Sequence, residues 1–282
     1  MPARVQRIDS TAVIIGTPTL GEGRRPWYMP IRTLATDYDG TIATHGTVDP
    51  DTVGALQRLR DAGGTLILVT GRELPQLSEV FPELPMFHAV VAENGALLYW
   101  PETGEEQPLC DPPEESFVRA LKERGVTPLS VGRVIVATFE PHETTVLTVI
   151  RDLGLEHQVI FNKGAVMVLP SGVNKASGLT RALEELGIAP ADVAGVGDAE
   201  NDHALLQYCG VGAAVANALP ALKDHADLVL AGRHGAGVAQ LIERMLDGTI
   251  DSTPRRPRMQ SRREKARVHE LADEHADVHP NA

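Results

Sequence analysis

Cysteine, aromatic side chains, basic charge and long apolar runs are all scarce in this sequence, and each shortage removes a class of protein. The two cysteines among 282 residues, Cys110 and Cys209, lie far apart and lack Cys-x-x-Cys spacing, which excludes a disulfide framework and a zinc knuckle. A reducing, cytoplasmic setting is the expectation. Lys and Arg total 26 against 38 Asp and Glu, and a net charge of -12 repels nucleic-acid backbones and anionic lipid unless the basic groups gather in one patch. No nucleic-acid partner is expected. Nothing approaches the roughly 18–20 apolar residues of a membrane span, and the run Ala12 to Ile15 is too short for a signal-peptide core. Aromatics make up only 4%, yet hydrophobic residues reach 43%, with 26 Gly and 20 Pro scattered along the chain. That profile excludes collagen, coiled coil and wholesale disorder, and leaves a globular chain of one elaborated domain or two.

Short aliphatic runs alternate with segments of helical period, the pattern of βαβ units around a parallel sheet. Strands are expected at Thr33 to Thr36, Thr65 to Thr70, His88 to Ala92, Val193 to Val196, Val211 to Val215 and Asp227 to Leu230. Asp49 and Pro50 supply the cap and first turn of a helix that Gly63 stops, and a second helix runs from about Ala176 to Leu186 before Gly187. Residues 101–171 read differently. Pro112 and Pro113 open a helix to Arg124, Arg133 to Phe139 reads as a strand, and a helix from His142 to Leu153 precedes two close runs, Gln158 to Phe161 and Ala165 to Leu169. The chain therefore divides into an N-terminal extension (1–30), a first core part (31–100), a small α+β insertion (101–171), a second core part (172–248) and a charged tail (249–282). Met29, just before the first strand, is a candidate start, and the tail carries Arg255, Arg256, Arg258, Arg262 and Arg263.

Four places can carry chemistry. The first strand runs into Asp37-Tyr38-Asp39-Gly40-Thr41, so two carboxylates sit at the C-terminal end of a strand, the edge where open α/β sheets bind ligands. One can attack an electrophile while the other handles a proton, and Gly40 lets backbone N–H groups approach an anion; an Asp-rich turn is the plain alternative. Thr70-Gly71-Arg72 ends the second strand with a hydroxyl, a glycine and a guanidinium fork suited to phosphate or carboxylate. Lys175 stands at a helix start, where the macrodipole disfavours a cation and calls for a negative partner. Asp198-Ala199-Glu200-Asn201-Asp202 follows another strand, with Asp198 and Asp202 spaced for one helical face. Oxygen donors without a His or Cys cluster favour magnesium over zinc. Asn94-Gly95 between two apolar runs is first of all a hairpin turn. His269 to Asp273 does not complete His-Glu-x-x-His, so no zinc-protease motif is present.

The order of acid pair, hydroxyl, lysine and second acid pair resembles the haloacid dehalogenase superfamily of phosphotransferases, in its class II, Cof-like (IIB) branch, over about residues 31–248. The resemblance implies a Rossmann-like core with a parallel sheet and a small inserted α+β cap of the C2 type between the second and third motifs. It further implies Asp37 as nucleophile, Asp39 as acid and then base, Thr70 and Lys175 as holders of the phosphoryl oxygens, and Mg2+ on Asp37, the Asp39 carbonyl and Asp198, with Asp202 as ligand or support. Gly40, Gly71, Arg72, Asn94 and Asn174 are the candidate substrate contacts. Within the insertion, Arg133, Glu140, His142, Asn162 and Lys163 can reach a ligand or serve as ordinary surface. The implied activity is Mg2+-dependent hydrolysis of a small phosphorylated metabolite, a sugar phosphate or a phosphoglycolate-like monoester, through an aspartyl-phosphate. A phosphotransferase or phosphomutase using the same nucleophile, and a noncatalytic phosphoacceptor or interaction module, are the alternatives; the ester and the oligomeric state are left open.

Overall fold

The computed structural model describes residues 31–255; Met29 and the Arg cluster beyond Arg255 lie outside the described residues. Fully apolar runs such as Leu66 to Val69 need cover on both faces, and the chain supplies it by folding into an eight-stranded sheet flanked by helices. Across the sheet the order is Leu228–Val229, Val211–Ala214, Val193–Gly197, Thr33–Thr36, Thr65–Val69, Ala89–Ala92, Leu97–Trp100 and Glu105–Pro108. Neighbours from Leu228–Val229 through Ala89–Ala92 pair in parallel, and the last two strands each join antiparallel.

Chain order runs outward from Thr33–Thr36 in one direction, then returns to build the other side starting at Val193–Gly197. The boundary between those two strands is a topological switch point, where helices leave to opposite faces and a crevice opens at the carboxyl ends. Asp37 and Asp198 are the residues immediately beyond them.

Two helices fix the geometry near this edge. Asp49 caps Pro50–Asp61 by accepting from the Asp51 N–H at 2.9 Å, and Ala55, Leu56 and Leu59 form its buried stripe. Asn174 caps Lys175–Leu186, its Oδ1 accepting from the N–H groups of Ala176 and Ser177 at 3.0 and 3.1 Å, while Ser177 completes a capping box.

The inserted segment forms its own antiparallel sheet, in the order His157–Asn162, Ala165–Pro170, Val136–Phe139 and Ser130–Val131. One face packs Val136, Val166 and Val168 against Phe117, Leu121, Val146 and Val149 of the helices Glu115–Glu123 and Glu143–Leu153. Strand alternation turns Ala137 and Met167 to the other face, toward the core's strand ends. The strand Glu105–Pro108, which falls in the 101–171 block on the sequence pattern, pairs instead as the outer strand of the core sheet. Its residues are charged, polar or proline, as suits an exposed edge, so no apolar alternation marks it.

Asn94-Gly95 does join two antiparallel strands, but the connection is longer and more buried than a two-residue hairpin, with four residues between the paired Ala92 and Leu97. Glu93–Gly95 is a single 3-10 turn, with Glu93 and Asn94 both in the left-handed region at φ 50° and 56°. Gly95, at φ 106°, lies so near the start of the lysine helix that a Cβ there would stand 2.0 Å from the Asn174 carbonyl oxygen. The Glu93 carboxylate is buried and accepts backbone N–H bonds from Arg133, Val134 and Ile135 at 2.8, 2.8 and 2.9 Å, pinning the insertion to the core. Because a carboxylate serving buried amides contributes more than a neutral acceptor, Glu93→Ala should destabilise the fold by on the order of 3 kcal/mol. Urea unfolding checks the loss, and amide hydrogen exchange at 133–135 should quicken well before global unfolding.

Candidate active site

Asp37 continues the Thr33–Thr36 strand, its N–H donating to the Val196 carbonyl at 3.0 Å, and the residue is 4% exposed. Tyr38 points the other way and is buried against Phe81. Asp37 and Asp39 therefore line the same cavity, as strand alternation predicts. Gly40 follows with φ 86°, and a Cβ there would lie 2.3 Å from Asp198 Oδ2, so the close approach of the second acidic segment depends on glycine.

Lys175 is fully buried and resolves the charge problem at the strand ends. Its Nζ donates to Asp37 Oδ1 and to Asp202 Oδ1, each at 2.6 Å. Asp202 Oδ2 accepts the N–H groups of Asp198 and Ala199 at 2.9 and 3.0 Å. Asp198 and Asp202 are consequently brought together by a side chain reaching back to a backbone amide; Asp198 precedes the 3-10 turn Glu200–Asp202, so the two do not share a helical face as their spacing suggests.

Asp37, Asp198 and Asp202 each offer an oxygen within 4.8 Å of the others. Three carboxylates against the buried Lys175 and the half-exposed Lys163 leave an excess of one negative charge, and their oxygens are the donor type a divalent cation such as magnesium takes. Burial, with Asp202 adding to it, raises the Asp37 pKa from 3.8 to about 7 against the opposing pull of Lys175. Burial also raises Asp198, against the opposing pull of Lys163. Burial alone would discharge Lys175, but Asp202 and Asp37 outweigh it and hold the ammonium above the ordinary lysine range.

Thr70 is buried at the end of its strand, where its hydroxyl oxygen accepts the Arg72 N–H at 3.1 Å. The Arg72 fork is engaged by Asp39, with Nε and a terminal nitrogen donating to its two oxygens at 2.6 and 2.7 Å, and the guanidinium lies over the Tyr38 ring. That pairing with Asp39 raises the Arg72 pKa further against the cost of burial. Gly71 also lines the cavity. Asn94 is wholly buried and accepts from Asn201 Nδ2 at 2.9 Å. Asn174 spends its carbonyl oxygen on the helix cap and is not in the cavity lining.

The cavity itself is about 410 Å³, walled by Asp37, Asp39 and Arg72 of the core and by Ile135, Met167 and Lys163 of the insertion. A larger groove of about 690 Å³ runs past Cys110, Glu114 and His157, and none of the four motifs reaches it. Of the insertion's candidates, Asn162 and Lys163 line the smaller cavity, Arg133 pairs with Glu106, and His142 meets the Thr127 carbonyl. Sequence reasoning missed Asn217, whose Nδ2 donates to the Gly40 carbonyl at 2.8 Å and whose Oδ1 accepts the His234 N–H at 2.7 Å. It lies just past Val211–Ala214, the next strand end along the same sheet edge, and that position was the available signal.

The model of the haloacid dehalogenase-like hydrolase family matches residues 34–127 and 133–242. A phosphoglycolate phosphatase of Methanothermobacter thermautotrophicus is 31% identical over 226 residues, covering 77% of this chain and 99% of that protein. Among solved structures, a haloacid dehalogenase-like hydrolase from Bacteroides thetaiotaomicron superposes with TM-score 0.65 at 20% identity, over 76% of this chain and 99% of that one. A subclass IIB sugar phosphatase of the superfamily gives TM-score 0.63 at 18% identity, over 78% and 99%. Both structures share this fold.

A carboxyl with a raised folded-state pKa favours the protonated folded chain, so its contribution is intact below its ordinary value of 3.8 and is lost as pH rises through about 7. In chelator-treated protein, the stability of Asp37→Asn relative to the parent should therefore rise between pH 4 and pH 8. Denaturant unfolding at both pH values measures it; a relative stability that is unchanged or falls over that range contradicts the electrostatic account.

Proposed function

The chain belongs to the haloacid dehalogenase-like hydrolases, and from that premise we propose that it hydrolyses a small phosphate monoester by passing the phosphoryl group through Asp37. The observation that carries this reading is the Asp37–Lys175–Asp202 chain of 2.6 Å contacts, with Asp39 two residues away in the same cavity. A carboxylate held by a buried ammonium at a crevice is a fixed, oriented nucleophile.

In the proposed sequence an Asp37 oxygen attacks phosphorus, the bond from phosphorus to the ester oxygen breaks, and Asp39 gives its proton to the departing alkoxide. Asp39 then takes a proton from water, whose oxygen attacks the phosphoryl group, releasing phosphate and restoring the Asp37 carboxylate. Lys175 neutralises charge gathering at the nucleophile, and the Thr70 hydroxyl, which accepts only the Arg72 amide, has its proton to donate to a phosphoryl oxygen. Arg72 orients Asp39, so delivering the proton requires that carboxylate to leave the fork.

Mg2+ fits the oxygen donors: Asp37, the Asp39 carbonyl and Asp198 would hold it, while Asp202, with both oxygens engaged by Lys175 and two amides, would support them. When bound, it supplies positive charge for the phosphoryl oxygens. A cavity of about 410 Å³, apolar along Ile135 and Met167, suits a small ester closed off from bulk water. The named activity of the archaeal relative makes phosphoglycolate the first ester to try, beside sugar phosphates.

Phosphate release from that panel should require Mg2+, and Asp37→Asn should lower it by on the order of 1,000-fold or more. Retention of the parent rate in Asp37→Asn would overturn the proposal.

A further inference from the structure

One side chain of the insertion reaches the carboxylates at the core's strand ends. Lys163 stands at the tip of the hairpin joining His157–Asn162 to Ala165–Pro170, and its Nζ donates to the Asp39 carbonyl oxygen and to Asp198 Oδ2, both at 2.8 Å. These are two of the oxygens assigned above to the cation. The contact is made from an unfavourable backbone: Lys163 has φ 50° and Gly164 φ 84°, the left-handed pair of a tight hairpin turn. A lysine in the first of these positions costs about 1 kcal/mol where Asn or Gly would cost less. The core accommodates it closely, since a Cβ on Gly40 would stand 2.4 Å from Lys163 Nζ.

Resting on the cation-binding reading of Asp37, Asp39 and Asp198, we propose that Lys163 is a removable ammonium that competes with the divalent cation. It shuts the insertion on the core while it holds these oxygens, and it is expelled when the cation binds.

The chemistry is exclusive. Magnesium binds oxygen at about 2.1 Å, and an ammonium hydrogen-bonded to the same two oxygens would face it as a like charge with no room between them. The Lys163 side chain is 47% exposed, so its pairing with the buried Asp198 is a partly screened, weak contact that a divalent ion can replace. Lys175 differs in this respect: it is buried, bonded to Asp37 and Asp202, and stays in place. Metal loading thereby frees the hairpin tip, and with it the cavity wall that Asn162 and Lys163 form.

The test uses Mn2+ as the probe, with free Mn2+ followed by electron paramagnetic resonance on the full chain. Lys163→Met should bind Mn2+ roughly three- to tenfold more tightly than the parent. Hydrogen exchange across 157–170 should quicken when Mn2+ is added to the parent, and should be quick already, and insensitive to Mn2+, in Lys163→Met. Equal or weaker affinity in Lys163→Met, with the parent's exchange unmoved by Mn2+, overturns the competition. Asp198→Asn separates the two layers: if it leaves Mn2+ binding intact, the cation site itself is wrongly drawn. If it abolishes binding while Lys163→Met changes nothing, only the role of Lys163 fails.

Discussion

Concentrating three carboxylates at one sheet edge, with a single buried ammonium among them, is the constraint around which the rest of this structure is arranged. Removing an ionised group from water costs several kcal/mol even after relaxation, and the Asp37–Lys175–Asp202 chain offsets that cost by pairing the one ammonium with two carboxylates. Asp202 illustrates the economy: one oxygen takes the lysine, and the other takes two backbone amides of the segment that carries Asp198. The charge balance remains negative, and the positive groups nearby, Arg72 and Lys163, are both drawn to the acid pairs.

The fold supplies this concentration through its switch point and one turn. Adjacent strands deliver Asp37, Thr70 and Asp198 to a common edge, and the turn Glu93–Gly95 ties the remaining parts together. Its backbone N–H groups donate to the carbonyls of Arg72 and Thr70, Asn94 bonds Asn201, Gly95 abuts the start of the lysine helix, and Glu93 holds the insertion. A three-residue turn thus touches every segment that contributes a candidate catalytic side chain except the first acid pair. Glu93 anchors the insertion at one end, and Lys163 meets the core at the hairpin tip.

Much of this was legible in the sequence because it rests on local rules. The strand Thr33–Thr36, the capped helix Pro50–Asp61 and the body of the helix Lys175–Leu186 follow from apolar period, the Asp49 cap and Gly stops. The acid pairs, Thr70 and Lys175 stand where strand ends and helix starts make charge conspicuous. What escaped depends on tertiary neighbours. Glu93 reads as a turn residue because nothing local announces the three amides, forty residues on, that its carboxylate accepts. Lys163 reads as a ligand contact or as ordinary surface, and its acidic partners stay hidden because they are 124 and 35 residues away. Asn174, a substrate candidate by resemblance, serves a purely local need as a helix cap, and Glu105–Pro108 pairs on an edge that demands no apolar pattern.

The central claim is that the phosphoryl group passes through Asp37, and the stereochemical course at phosphorus tests it most directly. A phosphate ester made chiral with oxygen isotopes should be hydrolysed with overall retention, because two in-line displacements each invert the centre. Net inversion would mean that water attacks the ester directly, and the account of Asp37 as the carrier would be wrong.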